Sequence, residues 1–253
     1  MKMAVCEFPD EASRHAPAWN DLVRFLEAHP ADVVVLPEMP FVEWRMFTSE
    51  KVDAKEWRAA LELHDAWIAR FGELGAEVVL SSRPVERDGR RLNEAFAWTR
   101  ADGYRGARSK YWLPDEPDGR ETAWFARGDR RFAPIAAGPV RVGYQLCTEL
   151  LFTDASHEIG RGGAQLVAAP RATGGHARWA AAASLAAVMA GCFVASANRR
   201  SHEGDAFAGR SCVVSPEGAL LAETTAAAPF AAVDVDLAEA DRAKRSYPRN
   251  LAV

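Results

Sequence analysis

Short runs of apolar residues alternate with longer stretches in which apolar residues recur every three or four positions. The short runs are typical of buried β-strands and the longer stretches of amphipathic helices. This pattern predicts strands at 3–8, 32–36 and 77–82 and helices at 17–28 and 54–73. The alternation of the two kinds of element is typical of an α/β fold.

The second helical stretch carries one apolar face. Its large side chains recur at i, i+4, i+7, i+11 and i+14, and they are Trp57, Leu61, His64, Ile68 and Phe71. These positions fall on the same side of a helix, so we expect that side to be buried. His64 is therefore predicted to be a core residue rather than a ligand.

The second half of the chain resumes the alternation after a polar interval. We predict strands at 91–100, 140–147, 164–169, 192–198, 209–215, 219–223 and 231–236, and helices near 154–161 and 177–190. The interval 101–139 is rich in Gly, Pro, Asp and Arg and is predicted to be mainly loop. Because neither a linker nor a tandem repeat interrupts the pattern, residues 1–253 are predicted to form a single domain.

Composition narrows the class of protein. Apolar residues make up 49% and charged residues 26% of the chain, as in soluble globular proteins. The net charge of −4 and the scattered arginines argue against a nucleic-acid partner. No apolar run approaches the roughly 20 residues of a membrane span, so no membrane association is predicted. The segment 1–7 lacks the apolar core of a secretory signal, which predicts a cytoplasmic location.

Four cysteines are present: Cys6, Cys147, Cys192 and Cys212. They form no CxxC pair and have no companion histidines at metal-ligand spacing, so no metal site is expected. Cys6, Cys192 and Cys212 lie within or beside apolar strands and are predicted to be packing residues. Cys147 differs, because it stands at the end of its strand.

Three apolar strands end on chemically reactive side chains. They are 33–38, which ends on Glu38, 142–147, which ends on Cys147, and 166–171, which ends on Arg171. In α/β sheets, ligands collect outside the carboxyl ends of the strands. A lone Glu or Cys at such a position is most often a solvated or a core residue. The sequences around them decide the matter.

Those sequences resemble the nitrilase superfamily of carbon–nitrogen hydrolases over nearly the whole chain. The matching segments, in the order of the family, are Leu36-Pro37-Glu38, Asn93, Ser109-Lys110-Tyr111-Trp112-Leu113-Pro114, Gly143-Tyr144-Gln145-Leu146-Cys147-Thr148-Glu149, Gly162-Gly163-Ala164, Ala197-Asn198-Arg199, Gly209-Arg210-Ser211 and Ser215-Pro216-Glu217-Gly218. The resemblance implies a four-layer α-β-β-α sandwich. It also implies a homodimer formed through the helices beside the nucleophile, or a higher homo-oligomer.

The resemblance assigns a role to each reactive residue. Cys147 is the expected nucleophile, Glu38 the group that moves the proton, and Lys110 the cation that stabilises the oxyanion. The backbone N–H of Thr148 is expected to complete the oxyanion hole. We expect the surroundings of Cys147 to favour its thiolate. Neither a cofactor nor a metal is implied.

Many family members have a second glutamate after the lysine, and this chain offers two. Glu116 lies in Pro114-Asp115-Glu116-Pro117, where a solvated turn is the simpler interpretation. Glu121 begins the segment 121–129, which resembles the family segment that contains an aromatic pair and ends in Gly-Asp. Glu121 is the preferred candidate.

Three further residues are candidates for substrate binding: Arg171, Tyr111 and Glu149. Arg171 is followed by Thr173-Gly174-Gly175 and a predicted helix, so its cation and free N–H groups together suggest a site for a substrate carboxylate. The alternative is structural, because an arginine at a strand end often pairs with a nearby acid such as Glu149.

The leading hypothesis is hydrolysis of a small-molecule amide with release of ammonia. The nearest alternative is a hydrolase of N-carbamoyl (ureido) compounds. A nitrilase is less favoured because Thr148 stands where nitrilases usually place Trp, and an acyltransferase that uses the same thioester stays open. A non-catalytic metabolite-binding module, or a papain-like pair of Cys147 with His157 or His176, would belong to other classes.

Overall fold

The structure is a computed structural model that describes residues 1–44, 52–116, 119–203 and 206–251. The strands, numbered in chain order, are β1 Lys2–Cys6, β2 Phe8–Pro9, β3 Val33–Val35, β4 Val78–Arg87, β5 Arg90–Thr99, β6 Gly103–Ser109, β7 Asp115–Glu116, β8 Gly119–Arg120, β9 Ile135–Ala137, β10 Val140–Tyr144, β11 Leu166–Arg171, β12 Phe193–Arg200, β13 Cys212–Val214, β14 Leu220–Glu223 and β15 Phe230–Asp234. The helices are α1 His15–Ala28, α2 Ala54–Ile68, α3 Thr153–Arg161, α4 Arg178–Ala190 and α5 Leu237–Ala243.

Most strands belong to two large sheets. The first sheet has the order β15-β1-β3-β4-β5-β6, and the second has the order β14-β13-β12-β11-β10-β9, with β2 paired to β12. Strands β1, β3 and β4 run parallel in the first sheet, as do β10, β11 and β12 in the second. The carboxyl ends of these parallel strands are where the sequence predicts a site.

The central strands of each sheet are buried on both faces. Along β1, Met3 and Val5 belong to the core between the two sheets, whereas Ala4 and Cys6 pack with Trp19 of α1 on the outer side. This is the two-residue period of a strand. On the far side of the second sheet, α3 and α4 cover the outer face. Two helical layers therefore enclose two sheets, and the expected α-β-β-α sandwich is confirmed.

The interval 101–139 is mainly loop, as expected, but not throughout. This interval contains β6, β7, β8 and β9. β6 is an edge strand that pairs with β5 alone, and several of its side chains are exposed. An edge strand with a solvated face has no continuous apolar run, so the hydrophobic pattern does not reveal it.

The strand expected at 140–147 is shorter than predicted. β10 ends at Tyr144, and Cys147 begins a 3₁₀ turn that extends to Leu151. The helix expected at 54–73 likewise ends at Ile68 and is followed by a separate 3₁₀ turn, Phe71–Leu74.

Of the residues predicted for the buried face of the second helical stretch, Trp57, His64, Ile68 and Phe71 are buried and Leu61 is partly buried. His64 has no exposed surface, and its Nδ1 lies 2.8 Å from the Ala60 carbonyl oxygen. Burial lowers the pKa of His64 to about 3, so the ring is neutral. Cys6, Cys192 and Cys212 are buried free thiols, as expected. Within the described ranges, no helix combines the length and apolarity that crossing a bilayer requires.

Candidate active site

Glu38 lies just beyond β3, and both of its backbone polar groups contact the second sheet. Its N–H donates to the carbonyl oxygen of Arg171 at 3.3 Å, and its own carbonyl accepts from Arg199 Nη1 at 3.1 Å. Before it, the Pro37 carbonyl accepts from Ser81 Oγ at 2.7 Å. The next residue, Met39, adopts φ 42°, a conformation that L-residues rarely adopt. The main chain that carries Glu38 is thus held from both sheets.

Lys110 follows β6 and places its amine between two carboxylates. Lys110 Nζ lies 2.9 Å from Glu38 Oε1 and 2.6 Å from Glu121 Oε1. Asn93 Nδ2 also donates to Glu38 Oε1, at 2.8 Å. Glu38 Oε2 has no hydrogen-bond partner in the described part of the chain, although it is buried. One oxygen of Glu38 is therefore fixed, and the other is available.

Burial and charge act together on this cluster. Burial alone would lower the pKa of Lys110, but the carboxylates of Glu121 and Glu38 raise it above its ordinary value. Lys110 is thus a permanent cation at neutral pH. Burial and the charge of Glu38 together raise the pKa of Glu121 to about 7, against the opposing effect of Lys110.

The geometry distinguishes the two candidate second glutamates. Glu121 begins a 3₁₀ turn, is 3% exposed and contacts Lys110. Glu116 lies on β7 with an exposed side chain. It is Glu121, not Glu116, that the fold brings to the lysine.

Cys147 is buried at the start of its 3₁₀ turn, with φ 50°. This left-handed conformation is uncommon for a residue with a side chain and turns the backbone sharply after β10. Burial raises the pKa of the Cys147 thiol to about 12; Glu38 adds to the rise and Lys110 opposes it. The expectation that the surroundings favour a resting thiolate is therefore wrong. A thiol in this state would need a base to act as a nucleophile, and Glu38 is the carboxylate with the largest effect on its pKa.

Thr148 is the second residue of the same turn. Amides in the first turn of a helical segment precede its first internal hydrogen bond and are free to bind a ligand. Its predicted role in the oxyanion hole stays a prediction. Neither His157 on α3 nor His176 before α4 is among the groups that act on the Cys147 thiol, which speaks against a papain-like pair.

The carboxylate of Glu149 is fully occupied by the protein. It forms a buried ion pair with Arg108, with Arg108 Nη2 at 2.9 Å from Glu149 Oε1, and it accepts from the backbone N–H groups of Tyr111 at 2.7 Å and Leu146 at 2.9 Å. These contacts tie β6 to the turn that carries Cys147. They favour a structural role for Glu149 over substrate binding. Sequence reasoning missed Arg108, because it lies on the strand that was expected to be loop.

Arg171 is not paired with Glu149, contrary to the structural alternative considered for it. β11 does lie beside β10, in parallel register, as expected. Arg171 is buried, and its guanidinium donates to Ser196 Oγ, Thr173 Oγ1 and the Arg210 carbonyl. Tyr111 is half-buried with its ring against Trp112, and its role in binding stays a prediction.

Comparison with known proteins agrees with this geometry. The family model for carbon-nitrogen hydrolases matches residues 2–245. This chain belongs to the carbon–nitrogen hydrolase family. A carbon–nitrogen hydrolase from Helicobacter pylori G27 superposes with a TM-score of 0.83 at 21% identity, covering 99% of this chain and 94% of that one. An amidase from Nesterenkonia sp. superposes with a TM-score of 0.76 at 21% identity, covering 95% and 92%.

Two curated carbon–nitrogen hydrolases are similar in sequence. Deaminated glutathione amidase from Mus musculus is 27% identical over 130 residues, which cover 49% of this chain and 40% of that protein. Citrullinase from Francisella tularensis subsp. tularensis (strain SCHU S4 / Schu 4) is 26% identical over 180 residues, covering 69% and 62%. The match thus spans less than two thirds of either relative.

Proposed function

We propose that this carbon–nitrogen hydrolase cleaves a small amide through a thioester on Cys147 and releases ammonia. The observation that carries the proposal is the buried contact of Lys110 Nζ with Glu38 and Glu121, whose charges act on the Cys147 thiol. A nucleophile, a proton carrier and an oxyanion partner are the groups that acyl transfer requires.

In the first half of the reaction, Cys147 Sγ attacks the amide carbonyl carbon while its proton passes to Glu38 Oε2. The oxyanion that forms is stabilised by Lys110 Nζ and the Thr148 N–H. Glu38 then gives the proton to the departing nitrogen, the carbon–nitrogen bond breaks, and ammonia leaves the acyl thioester behind.

In the second half, water replaces ammonia. Glu38 takes a proton from the water, the hydroxyl oxygen attacks the thioester carbon, and the carbon–sulfur bond breaks. The proton returns to Cys147, and the carboxylic acid leaves. Glu121 holds Lys110 in place through both steps, because its carboxylate lies 2.6 Å from the amine.

Solved relatives support a nucleophilic cysteine at this position of the fold. In the Nesterenkonia amidase, a mutant with one glutamate replaced by glutamine shows covalent addition of the acetamide moiety of fluoroacetamide at the active site cysteine. Another structure of that mutant shows Michael addition of acrylamide at the active site cysteine. Small amides thus reach a cysteine in a protein of this fold.

Hydrolysis of a ureido compound is the second candidate, favoured by the citrullinase match over 69% of this chain. The same residues serve, with the carbamoyl carbon as the electrophile. Products separate the two, since a carbamoyl thioester gives carbon dioxide as well as ammonia whereas an acyl thioester gives a carboxylic acid.

The test is a screen for ammonia and carbon dioxide across small amides, ureides and nitriles. We expect ammonia from amides in the wild type and none from Cys147→Ala, with an acyl adduct in the intact mass of the wild type on a slow substrate. Cys192→Ala is the matched control and should turn over normally. Turnover by Cys147→Ala would contradict the mechanism, and the lack of any turnover would favour a binding module.

We also propose a homodimer, as the family resemblance implies. Two leucines near the nucleophile are exposed. Leu151, just before α3, is 43% exposed, and Leu185, on α4, is 49% exposed. Analytical ultracentrifugation of the wild type tests this, and a monomer at micromolar concentration would contradict it.

A further inference from the structure

One peptide group lies between Glu38 and Cys147. Its carbonyl oxygen, from Arg171, accepts the N–H of Glu38 at 3.3 Å. Its N–H, from Ala172, lies close to the Cys147 thiol and acts against the rise in the pKa of that thiol. The carbonyl and the N–H of a peptide group are held rigidly in one plane. Any tilt of this group therefore moves the main chain of Glu38 relative to the sulfur.

The side chain of Arg171 is anchored in three directions. Its Nε donates to Ser196 Oγ on β12 at 2.6 Å, its Nη1 to Thr173 Oγ1 at 2.8 Å, and its Nη2 to the carbonyl oxygen of Arg210 at 3.1 Å. The residue is 4% exposed. A buried guanidinium with a hydrogen bond from each nitrogen is held in a single orientation. This anchoring fixes the end of β11, where the peptide group lies.

The surroundings of the guanidinium argue against capture of a substrate carboxylate. The cavity that Arg171 lines measures about 120 Å³ and has Trp179, Arg210 and Glu223 among its walls. In the described part of the chain, none of Cys147, Glu38 and Lys110 lines it. An anion bound there would lie outside the cluster of Cys147, Glu38 and Lys110.

We propose that Arg171 is a positioning residue: its anchored guanidinium holds the Arg171–Ala172 peptide group where that group keeps Glu38 and Cys147 aligned. The inference rests on the proposed function, because it assigns the reacting pair to Glu38 and Cys147. It differs from a substrate-binding role, because the effect of Arg171 does not depend on the charge of the substrate.

The first measurement does not require the natural substrate to be known. Iodoacetamide is applied at pH 8, and the rate of alkylation is followed at each cysteine by peptide mass spectrometry. We expect Cys147 to react faster than the other three cysteines in the wild type, because Glu38 can accept its proton as the sulfur attacks. In Arg171→Met we expect Cys147 to react roughly tenfold more slowly, about the effect of one lost hydrogen bond. Arg249→Met is the matched control. Its side chain is also 4% exposed and donates to the carbonyls of Ala243 and Val188 in another part of the fold.

The second measurement separates positioning from binding. In Arg171→Met, kcat should fall by the same factor, about tenfold, for a neutral amide and for an amide that carries a carboxylate, with KM little changed for both. A loss of kcat/KM confined to the carboxylate substrate would overturn the proposal in favour of substrate binding.

A milder pair of variants guards against loss of folding. Thr173→Val removes the hydroxyl that accepts from Arg171 Nη1, whereas Thr173→Ser retains it. We expect slower alkylation of Cys147 in Thr173→Val and the wild-type rate in Thr173→Ser. Equal rates in this pair, or an unchanged rate in folded Arg171→Met, would overturn the proposal. If Cys147 in the wild type reacts no faster than the other cysteines, the proposed function fails and the inference falls with it.

Discussion

At the scale of single residues, Lys110 has surroundings that make its loss costly in two ways. It is a buried cation shared by Glu38 and Glu121. Removing it leaves two buried acids without a counter-charge, and breaking a buried ion pair in this way costs about 3–5 kcal/mol. We expect Lys110→Met to lower kcat by roughly 10²-fold or more and to lower Tm as well. Initial rates and thermal melting of the same preparation check both.

Glu38→Gln separates chemistry from stability. The variant keeps the shape of the side chain, and Lys110 stays balanced by Glu121. We expect kcat to fall by roughly 10²-fold or more while Tm stays close to that of the wild type, because the amide cannot accept the proton of Cys147. Near wild-type rates in both this variant and Lys110→Met, with a collapse of Tm, would identify a structural ion pair instead.

Glu121 predicts a pH dependence of stability. Burial, opposed by Lys110 and reinforced by Glu38, raises the pKa of Glu121 from 4.5 to about 7. The folded chain therefore binds this proton more tightly than the unfolded chain, and the contribution of Glu121 to the free energy of unfolding falls as the pH rises from about 4.5 to 7. Glu121→Gln cannot titrate. In urea titrations at several pH values, the stability of the wild type minus that of Glu121→Gln should decrease across this window, and a constant difference would refute the assignment.

At the scale of elements, the sequence predicts best where a strand is buried on both faces. The run Val33–Val35 and the strand β11 are buried along their whole length, so they appear as continuous apolar segments. For the same reason the sequence reveals Glu38, which lies just beyond β3, and Arg171, which ends β11. β6 has the opposite character, since its edge position leaves several side chains in solvent.

The sequence predicts which residues form the site better than it predicts their hydrogen-bond partners. Family motifs and their order identify Glu38, Lys110 and Cys147. The partners of Arg171 and Glu149 depend on which oxygens and nitrogens the tertiary fold brings near them: Ser196 for the former and Arg108 for the latter. Residues so far apart in sequence leave no local pattern.

Because α3 and α4 are in contact, a methyl group added at Gly160 should destabilise the fold, whereas one added at Gly72 should not. A Cβ at Gly160 would overlap the backbone carbonyl of Ala190 at the end of α4. Alanine favours a helix more than glycine does, so destabilisation can come only from this contact. We expect Gly160→Ala to lower the free energy of unfolding by about 1–3 kcal/mol in urea titrations.

Gly72→Ala is the control for this effect. A Cβ at Gly72 meets no atom within 4 Å. Its free energy of unfolding should stay close to that of the wild type. If Gly160→Ala behaved in the same way, the two helices would not be in contact as described.

At the scale of the whole molecule, one hydrogen bond crosses from sheet to sheet through the central core. Tyr144 of β10 in the second sheet donates its hydroxyl to the Phe96 carbonyl of β5 in the first, at 2.7 Å. We expect Tyr144→Phe to lower the free energy of unfolding by about 1–2 kcal/mol, because a buried hydrogen bond is lost with no change in packing volume. Urea titration measures this, and an unchanged midpoint and slope would show that the bond contributes nothing.

The groups proposed to react are divided between the same two sheets. Glu38 and Lys110 follow β3 and β6 of the first sheet, and Cys147 follows β10 of the second. A small slip of one sheet over the other would separate the sulfur from the carboxylate while the hydrogen bonds within each sheet stay intact. The proposed activity should therefore depend on how the two sheets are aligned. As the urea concentration rises, enzymatic activity should be lost before circular dichroism shows any loss of strand or helix.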